Sequence, residues 1–369
     1  MEQSRPSLRI FALLSLGLLA LLPVPAALAG GGDPPPPPQA PHTPWYVSIH
    51  AIEVGYDDAT TDAAMEKAVD LGLEGVRTDI FWSDIEPVRD QWDGAKLQYY
   101  TNYVSKARWF GLDPLIILSG APGWAVDLYR TDKAAFWQEY EEYVAQVALW
   151  VGDRVDNYQL WNEANHIPDP IDAADDWQLF ARAGAVLDQL DPGAKKYVNC
   201  MANVLGWEDA VTDWVTRAGN HIDVIGVDHY PGTWSPVSAT DWTPLDILIA
   251  RINDPSDEWY GKEGMILETG YSSWAWLLAD ENDQRDWINA ALPAVRAKIN
   301  DNNLNNPYPI VGANFYQLID TCTDVFDPAN CRSDDPIFGQ GIEAHFGIIH
   351  SNFSHKAGYG ALKNQLQQF

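Results

Sequence analysis

The chain has 369 residues, 46% of them hydrophobic, enough to bury one large core or two ordinary ones. Its 23 basic residues stand against 52 acidic ones, a net charge of −29. That balance disfavours nucleic acid and anionic membrane surfaces as partners and leaves a neutral substrate as the better fit.

The first residues read as an export signal. Arg5 and Arg9 flank the start of an apolar run, Ile10 to Leu22, followed by Pro23, Pro25 and the small-residue pattern Ala27-Leu28-Ala29. A run of this length falls short of the roughly 20 residues a spanning helix needs. It is expected to be cleaved after Ala29 as a secretory signal peptide (1–29), giving a secreted or periplasmic protein with no membrane anchor. Residues 30–44, GGGDPPPPPQAPHTP, form an extended proline-rich linker with nothing to bury. The folded domain is expected to span 45–369, as a monomer.

From Trp45 onward, short apolar runs alternate with amphipathic segments. The runs are 46–52, 75–82, 113–119, 156–162, 196–202, 223–230, 264–270 and 310–318. They are rich in Val, Ile and aromatics and lack clean alternation, the pattern of strands buried on both faces in a parallel sheet. Between them, Phe136, Tyr140, Val144 and Val147 recur at helical spacing and form one apolar face. Trp207 to Ala218, Asp283 to Ile299 and Lys356 to Leu366 also read as helices, and Gly72, Gly111 and Gly219 sit where helices should end. Eight strand-plus-helix units in one domain predict an α/β fold, a single (β/α)₈ TIM barrel. An open doubly wound sheet is the rival; it would bring a glycine-rich phosphate loop after an early strand, and the only GGG lies in the linker.

In such a barrel the residues at the C-terminal strand ends face the site. Here they are His50 and Glu53; Arg77, Asp79 and Trp82; Trp124 after the third strand; Trp161, Asn162 and Glu163; Asp228, His229 and Tyr230; Glu268; and Tyr316. YQLWNEAN and MILETGYSS each carry an apolar run that ends on a glutamate, Glu163 and Glu268. Two opposed carboxyl groups are the working parts of a glycosidase. A carboxyl against the Trp161 wall and near a second carboxylate is expected to hold its proton, and Glu268 is expected to be held as a carboxylate by Arg77 and a Tyr230 hydroxyl. No HExxH occurs and no second histidine lies at ligand spacing to His229, so neither metal nor cofactor is expected.

Asn-Glu at the end of the fourth strand and Glu at the end of the seventh resemble the large clan of retaining (β/α)₈ glycoside hydrolases, most like family 39 and next family 5. The resemblance covers nearly all of 45–369. It implies Glu163 as acid/base and Glu268 as nucleophile, with Asn162 on the sugar 2-hydroxyl and Tyr230 hydrogen-bonded to the nucleophile. The clan commonly ends its eighth strand in Trp; here Asn314-Phe315-Tyr316 stands there, with Tyr316 as the replacement platform. The implied activity is hydrolysis of an oligo- or polysaccharide. Transglycosylation on the same residues and a non-catalytic glycan-binding barrel are the alternatives.

Other readings of the same residues remain open. Glu163 can cap a helix, Arg77 can pair only with Asp79, and His229 can be a satisfied polar residue. Seventeen tryptophans are an unusual number. Trp82, Trp124, Trp234, Trp274 and Trp276 all fall in or beside the active-face loops, where aromatic faces would stack on sugar rings, although many aromatics simply fill cores. His50, Arg77, Asn162, His229, Tyr230 and Tyr316 complete the expected substrate-binding set. Cys322 and Cys331 bracket a short polar loop and are expected to form a disulfide in an exported protein, with Cys200 buried as a thiol.

Overall fold

Eight short parallel strands hydrogen-bond in sequence order, and the last returns to the first. They are β1 (Trp45–Ser48), β2 (Gly75–Phe81), β3 (Asp113–Ser119), β4 (Asn157–Gln159), β5 (Lys195–Met201), β6 (Val224–Asp228), β7 (Glu263–Thr269) and β8 (Ile310–Phe315). The barrel is closed, as the eight apolar runs predict, and closure removes every sheet edge. The computed structural model describes residues 41–166, 170–274, 279–321 and 340–368.

The outer layer comprises α1 (Asp58–Leu71), α2 (Trp82–Ile85), α3 (Gly94–Trp109), α4 (Gly123–Thr131), α5 (Lys133–Val151), α6 (Asp176–Leu190), α7 (Trp207–Ala218), α8 (Thr243–Asn253), α9 (Glu281–Asn305), α10 (Gln340–Glu343) and α11 (Tyr359–Leu366). Aspartates start several of them. Asp57, Asp93, Asp132 and Asp280 each accept backbone N–H bonds from the first helical turn, and Asp280 completes a capping box with Asp283. Each such cap is worth about 1 kcal/mol. The expected apolar face of α5 is real: Phe136, Tyr140, Val144 and Val147 are all buried. Gly72 ends α1 at φ +87, which a side chain rarely tolerates. Gly219 follows α7 at φ −56 and opens one 3₁₀ turn, so it does not act as a left-handed stop. No described helix is long and apolar enough to cross a membrane.

Strand pleat sets what faces the bore. Tyr46, Leu115, Tyr197, Val224, Met265 and Leu267 form a small apolar cluster separate from the main core between strands and helices. Gly226 makes room for it: a Cβ there would meet Leu267 Cδ1 at 2.2 Å. Nearer the C-terminal rim the filling turns polar, with Ser48, Arg77, Gln159, Asn199 and Asn314 all buried. Their partners are one another: Arg77 Nε donates to Gln159 Oε1 at 2.9 Å, and Asn314 Nδ2 donates to Ser48 Oγ at 3.0 Å. This buried polar layer is the floor of the site. β7 departs from regular register beside it. Gly226 pairs with Met265 but Asp228 pairs with Glu268, so one extra residue lies in β7 over that interval. The irregularity turns Glu268 to the same side as Asp228.

Candidate active site

A cavity of about 530 Å³ opens at the C-terminal end of the barrel, within the range of small-molecule sites. His50, Glu53, Arg77, Asp79, Trp161, Asn162, Glu163, Glu268, Tyr316 and Glu343 supply most of its chemistry, and Ile52, Phe81, Ile117 and Ala121 add apolar wall.

Glu268 is buried and closely held. Arg77 Nη1 pairs with its Oε1 at 2.7 Å, and the Tyr230 hydroxyl donates to its Oε2 at 2.5 Å. Arg77 is wholly buried and also donates to Gln159 Oε1 and, at 2.9 Å, to Asn162 Oδ1. Asn162 Oδ1 further accepts from Gln159 Nε2 and Asn199 Nδ2, both at 3.1 Å. Three donors on that one oxygen fix the amide plane.

Glu163 sits just past β4, where the chain turns over the rim. Its backbone takes φ +47, unusual for a residue with a side chain. The Glu163 N–H donates to Asn199 Oδ1 at 2.9 Å, a bond that fastens this conformation. A carboxyl oxygen each of Glu163, Asp228 and Glu268 lies within 4.8 Å of the others. Burial, with Glu268 adding like charge, pushes the Glu163 carboxyl up to about 8.

A second group lines the opposite wall. His50 Nδ1 lies 2.6 Å from Asp79 Oδ2, Ser119 Oγ donates to Asp79 Oδ1 at 2.7 Å, and the His50 N–H donates to Glu53 Oε2 at 2.9 Å. Burial opposes the charged imidazole, but Glu53 and Asp79 outweigh it and raise His50 to about 9. The same burial lifts Glu53 to about 7, with His50 pulling the other way. Tyr316 stands between this group and Tyr230, its ring 6.0 Å from His50 and 6.1 Å from Tyr230, and its hydroxyl donates to Glu343 Oε1 at 2.7 Å.

The structure thus gathers Glu163, Glu268, His50, Arg77, Asn162 and Tyr316 around one cavity, with Tyr230 immediately behind Glu268. Five expected contacts need correction. Trp82 is fully buried, stacked on Tyr143 at 5.2 Å, with its Nε1 donating to Glu86 Oε2 at 2.7 Å; it belongs to the core between barrel and helices. His229 turns away from the cavity, its Nε2 2.8 Å from the Asp241 carbonyl oxygen and its ring against Trp242. Trp124 donates to the Glu86 carbonyl and packs edge-on to Trp82, outside the cavity lining. Trp234 and Trp274 are also outside it, the first against Phe346 and the second stacked on His345 at 5.5 Å. Trp276, Cys322 and Cys331 lie outside the described residues, and Cys200 is a buried thiol.

Sequence reasoning placed Asp228 at a strand end without giving it a role, and passed over Asn199, Gln159, Ser119 and Glu343. The signal for Asp228 was strand parity: Gly226, Asp228 and Tyr230 share one face, and His229 takes the other. Gln159 and Asn199 are polar residues inside apolar runs, and each serves as a buried hydrogen-bonding strut. Glu343 comes from a short helix with no periodicity to reveal it.

Neither a protein-family model nor a curated protein matches the sequence. Solved structures do match. A family 39 glycoside hydrolase from the gut symbiont Bacteroides cellulosilyticus WH2 shares 19% identity at a TM-score of 0.63, over 88% of this chain and 64% of its own. The chain therefore spans under two thirds of that protein's length. A GH5_18 from Bifidobacterium longum subsp. infantis gives 14% identity and a TM-score of 0.69, covering 89% of this chain and 79% of its own. A GH5_18 from Streptomyces cattleya in complex with Manβ1-4GlcNAc gives 15% and 0.65, covering 89% and 81%. At these identities the likeness establishes the barrel architecture, shared with glycoside hydrolases of families 39 and 5.

Proposed function

We propose that the chain is a retaining glycoside hydrolase acting on O-glycosidic bonds of an oligo- or polysaccharide. One observation carries the reading. Glu163 and Glu268 bring carboxyl oxygens within 4.8 Å across a cavity, one with its proton affinity raised to about 8 and the other paired with a buried guanidinium. That difference in environment assigns the roles. Glu268 attacks the anomeric carbon while Glu163 protonates the departing oxygen. Glu163, now ionised, then takes a proton from the water that releases the sugar. Closest oxygens within 4.8 Å leave room for the roughly 5–5.5 Å carboxyl spacing of a glycosyl-enzyme mechanism.

The other residues support this chemistry. Arg77 and Tyr230 aim Glu268 and stabilise its charge. With its Oδ1 held by three donors, Asn162 presents its amide N–H groups to a sugar 2-hydroxyl. Tyr316 and Trp161 supply the aromatic surfaces next to the reacting centre, and His50 is placed to donate to ring hydroxyls. Five carboxyl groups line the cavity against one guanidinium and one imidazole, so a neutral sugar suits it better than a uronate. No metal or cofactor enters this scheme. Export by residues 1–29, a monomeric state and a Cys322–Cys331 bridge belong to the same proposal.

The test is a panel of aryl glycosides and oligosaccharides with product anomers followed by NMR from the first turnovers. Hydrolysis with net retention is the expected result. First-formed products of opposite configuration would overturn the mechanism, and a panel without turnover but with glycan binding would favour the binding-barrel alternative. Transglycosylation would appear as acceptor-linked products at high acceptor concentration.

A further inference from the structure

Three carboxyl groups, two lining the cavity and one beside them, bring oxygens within 4.8 Å of one another, and two-carboxylate chemistry accounts for two. The third, Asp228, ends β6 and is 2% exposed. Asn199 Nδ2 donates to its Oδ2 at 2.5 Å. Its Oδ1 is buried and meets no donor among the described residues. The groups facing it are Glu163 from the rim after β4, Glu268 on β7, Arg77 on β2, the Cys200 thiol on β5 and Tyr230 past its own strand end. Arg77 is the one cation among them, and its nitrogens are already directed at Glu268, Gln159, Asn162 and Ser48.

Two carboxyl groups in hydrogen-bonding reach, with no cation between them, repel if both are ionised and attract if one carries a proton. We propose that Asp228 is a positioning residue for Glu163, a neutral carboxylic acid that donates a hydrogen bond to the Glu163 carboxyl and holds it in line with Glu268. This rests on the glycosidase reading and adds to it a third carboxyl that reacts with nothing. Burial, then the charges of Glu268 and Glu163, push Asp228 well above the usual carboxylate range, in keeping with a retained proton.

The proton inventory is simple. In the first step the Glu163 proton moves to the glycosidic oxygen as that C–O bond breaks and the bond from Glu268 to the anomeric carbon forms. Glu163 is left as a carboxylate in a buried site, and the Asp228 O–H donates to it. In the second step water gives a proton to Glu163 while its oxygen replaces Glu268 on the anomeric carbon. Asp228 begins and ends with its own proton. A donor aimed at a buried carboxylate is among the stronger hydrogen bonds available to a protein.

The purified full chain tests this with Asp228→Asn and Asp228→Ala. An asparagine keeps a neutral donor toward Glu163 and an acceptor toward Asn199. D228N is therefore expected to retain kcat/KM within about fivefold, with the basic limb of its pH profile unmoved. D228A removes the donor and is expected to lose about 10–100-fold in the step that leaves Glu163 ionised, with its basic limb displaced to higher pH because ionised Glu163 has lost a partner. An infrared difference spectrum of unliganded wild type against D228N at neutral pH should show the C=O stretch of one protonated carboxyl in wild type only. A D228N basic limb moved a unit or more toward acid would mean that wild-type Asp228 is a carboxylate, and would overturn the proposal. So would D228A with a wild-type profile, or a difference spectrum without that band. The infrared result needs no substrate. A band present in a protein that hydrolyses no glycoside would sink the glycosidase reading and leave the carboxyl pairing standing.

Discussion

Removing the Arg77 guanidinium is the most informative perturbation of this site. Arg77→Met keeps the length and the apolar stem while deleting the charge. The side chain is 0% exposed and that of its partner Glu268 is 9% exposed, so the pair is shielded from solvent and salt. Breaking a buried pair by deleting one partner costs about 3–5 kcal/mol, because the remaining charge is left uncompensated. Gln159 Oε1 also loses the donor it has at 2.9 Å. Against a typical stability of about 5–15 kcal/mol, the variant should still fold. Denaturant unfolding should show the midpoint falling without a change in slope, the sign of lost stability with unchanged exposed surface. Activity should fall further than stability implies, since Glu268 can relieve its isolation only by taking a proton, which removes its nucleophilicity. A kcat/KM reduced by about 10²–10³ is expected, comparable to deleting one preorganised electrostatic group elsewhere. A variant destabilised by under about 1 kcal/mol with unchanged kcat/KM would refute the role given to Arg77.

Other consequences follow from the same geometry. Glu163→Ala should slow substrates with poor leaving groups far more than activated aryl glycosides, since the latter need little protonation, and azide should restore the activated ones; equal losses without rescue would remove Glu163 from the acid role. Raising the pH through about 8 should deprotonate Glu163 and switch off the first step, so kcat/KM should decline on that basic limb, and a limb near the ordinary glutamate range would contradict the burial argument. Trp82→Phe should lower stability by about 1–3 kcal/mol, since Glu86 Oε2 loses its buried donor, and leave KM within twofold; a large rise in KM would place Trp82 in contact with substrate after all.

Much of this was readable in the residues. All eight strands appear as apolar runs because both faces of each are buried, and such runs need no alternation to be recognised. Their ends were less legible. β4 stops at Gln159 where the apolar run continues to Asn162, because the chain turns over the rim to reach φ +47 at Glu163, and no side-chain pattern announces that bend. The carboxyl pair was legible because a charged residue closing a hydrophobic strand has few purely structural uses. Trp82 misled because its chemistry suits a core and a sugar platform equally, and pleat parity separates the two. Gly75, Arg77, Asp79 and Phe81 share one face of β2, and Trp82 falls on the other. The same rule, applied to β6, selects Asp228 and Tyr230 and rejects His229. The face taken by Glu268 depends on the register change in β7, a feature of backbone pairing that composition does not encode.

The central claim is a covalent sugar on Glu268. It is tested most directly by incubating the wild-type chain with a 2-deoxy-2-fluoro glycoside, bearing an activated leaving group, of whichever sugar the panel identifies. Intact-protein mass spectrometry should show one added fluorosugar, and peptide mapping should place it on Glu268, with E268Q unlabelled. A label on another carboxyl, or rapid inactive binding with no covalent adduct on a protein that turns over the parent glycoside, would contradict the account.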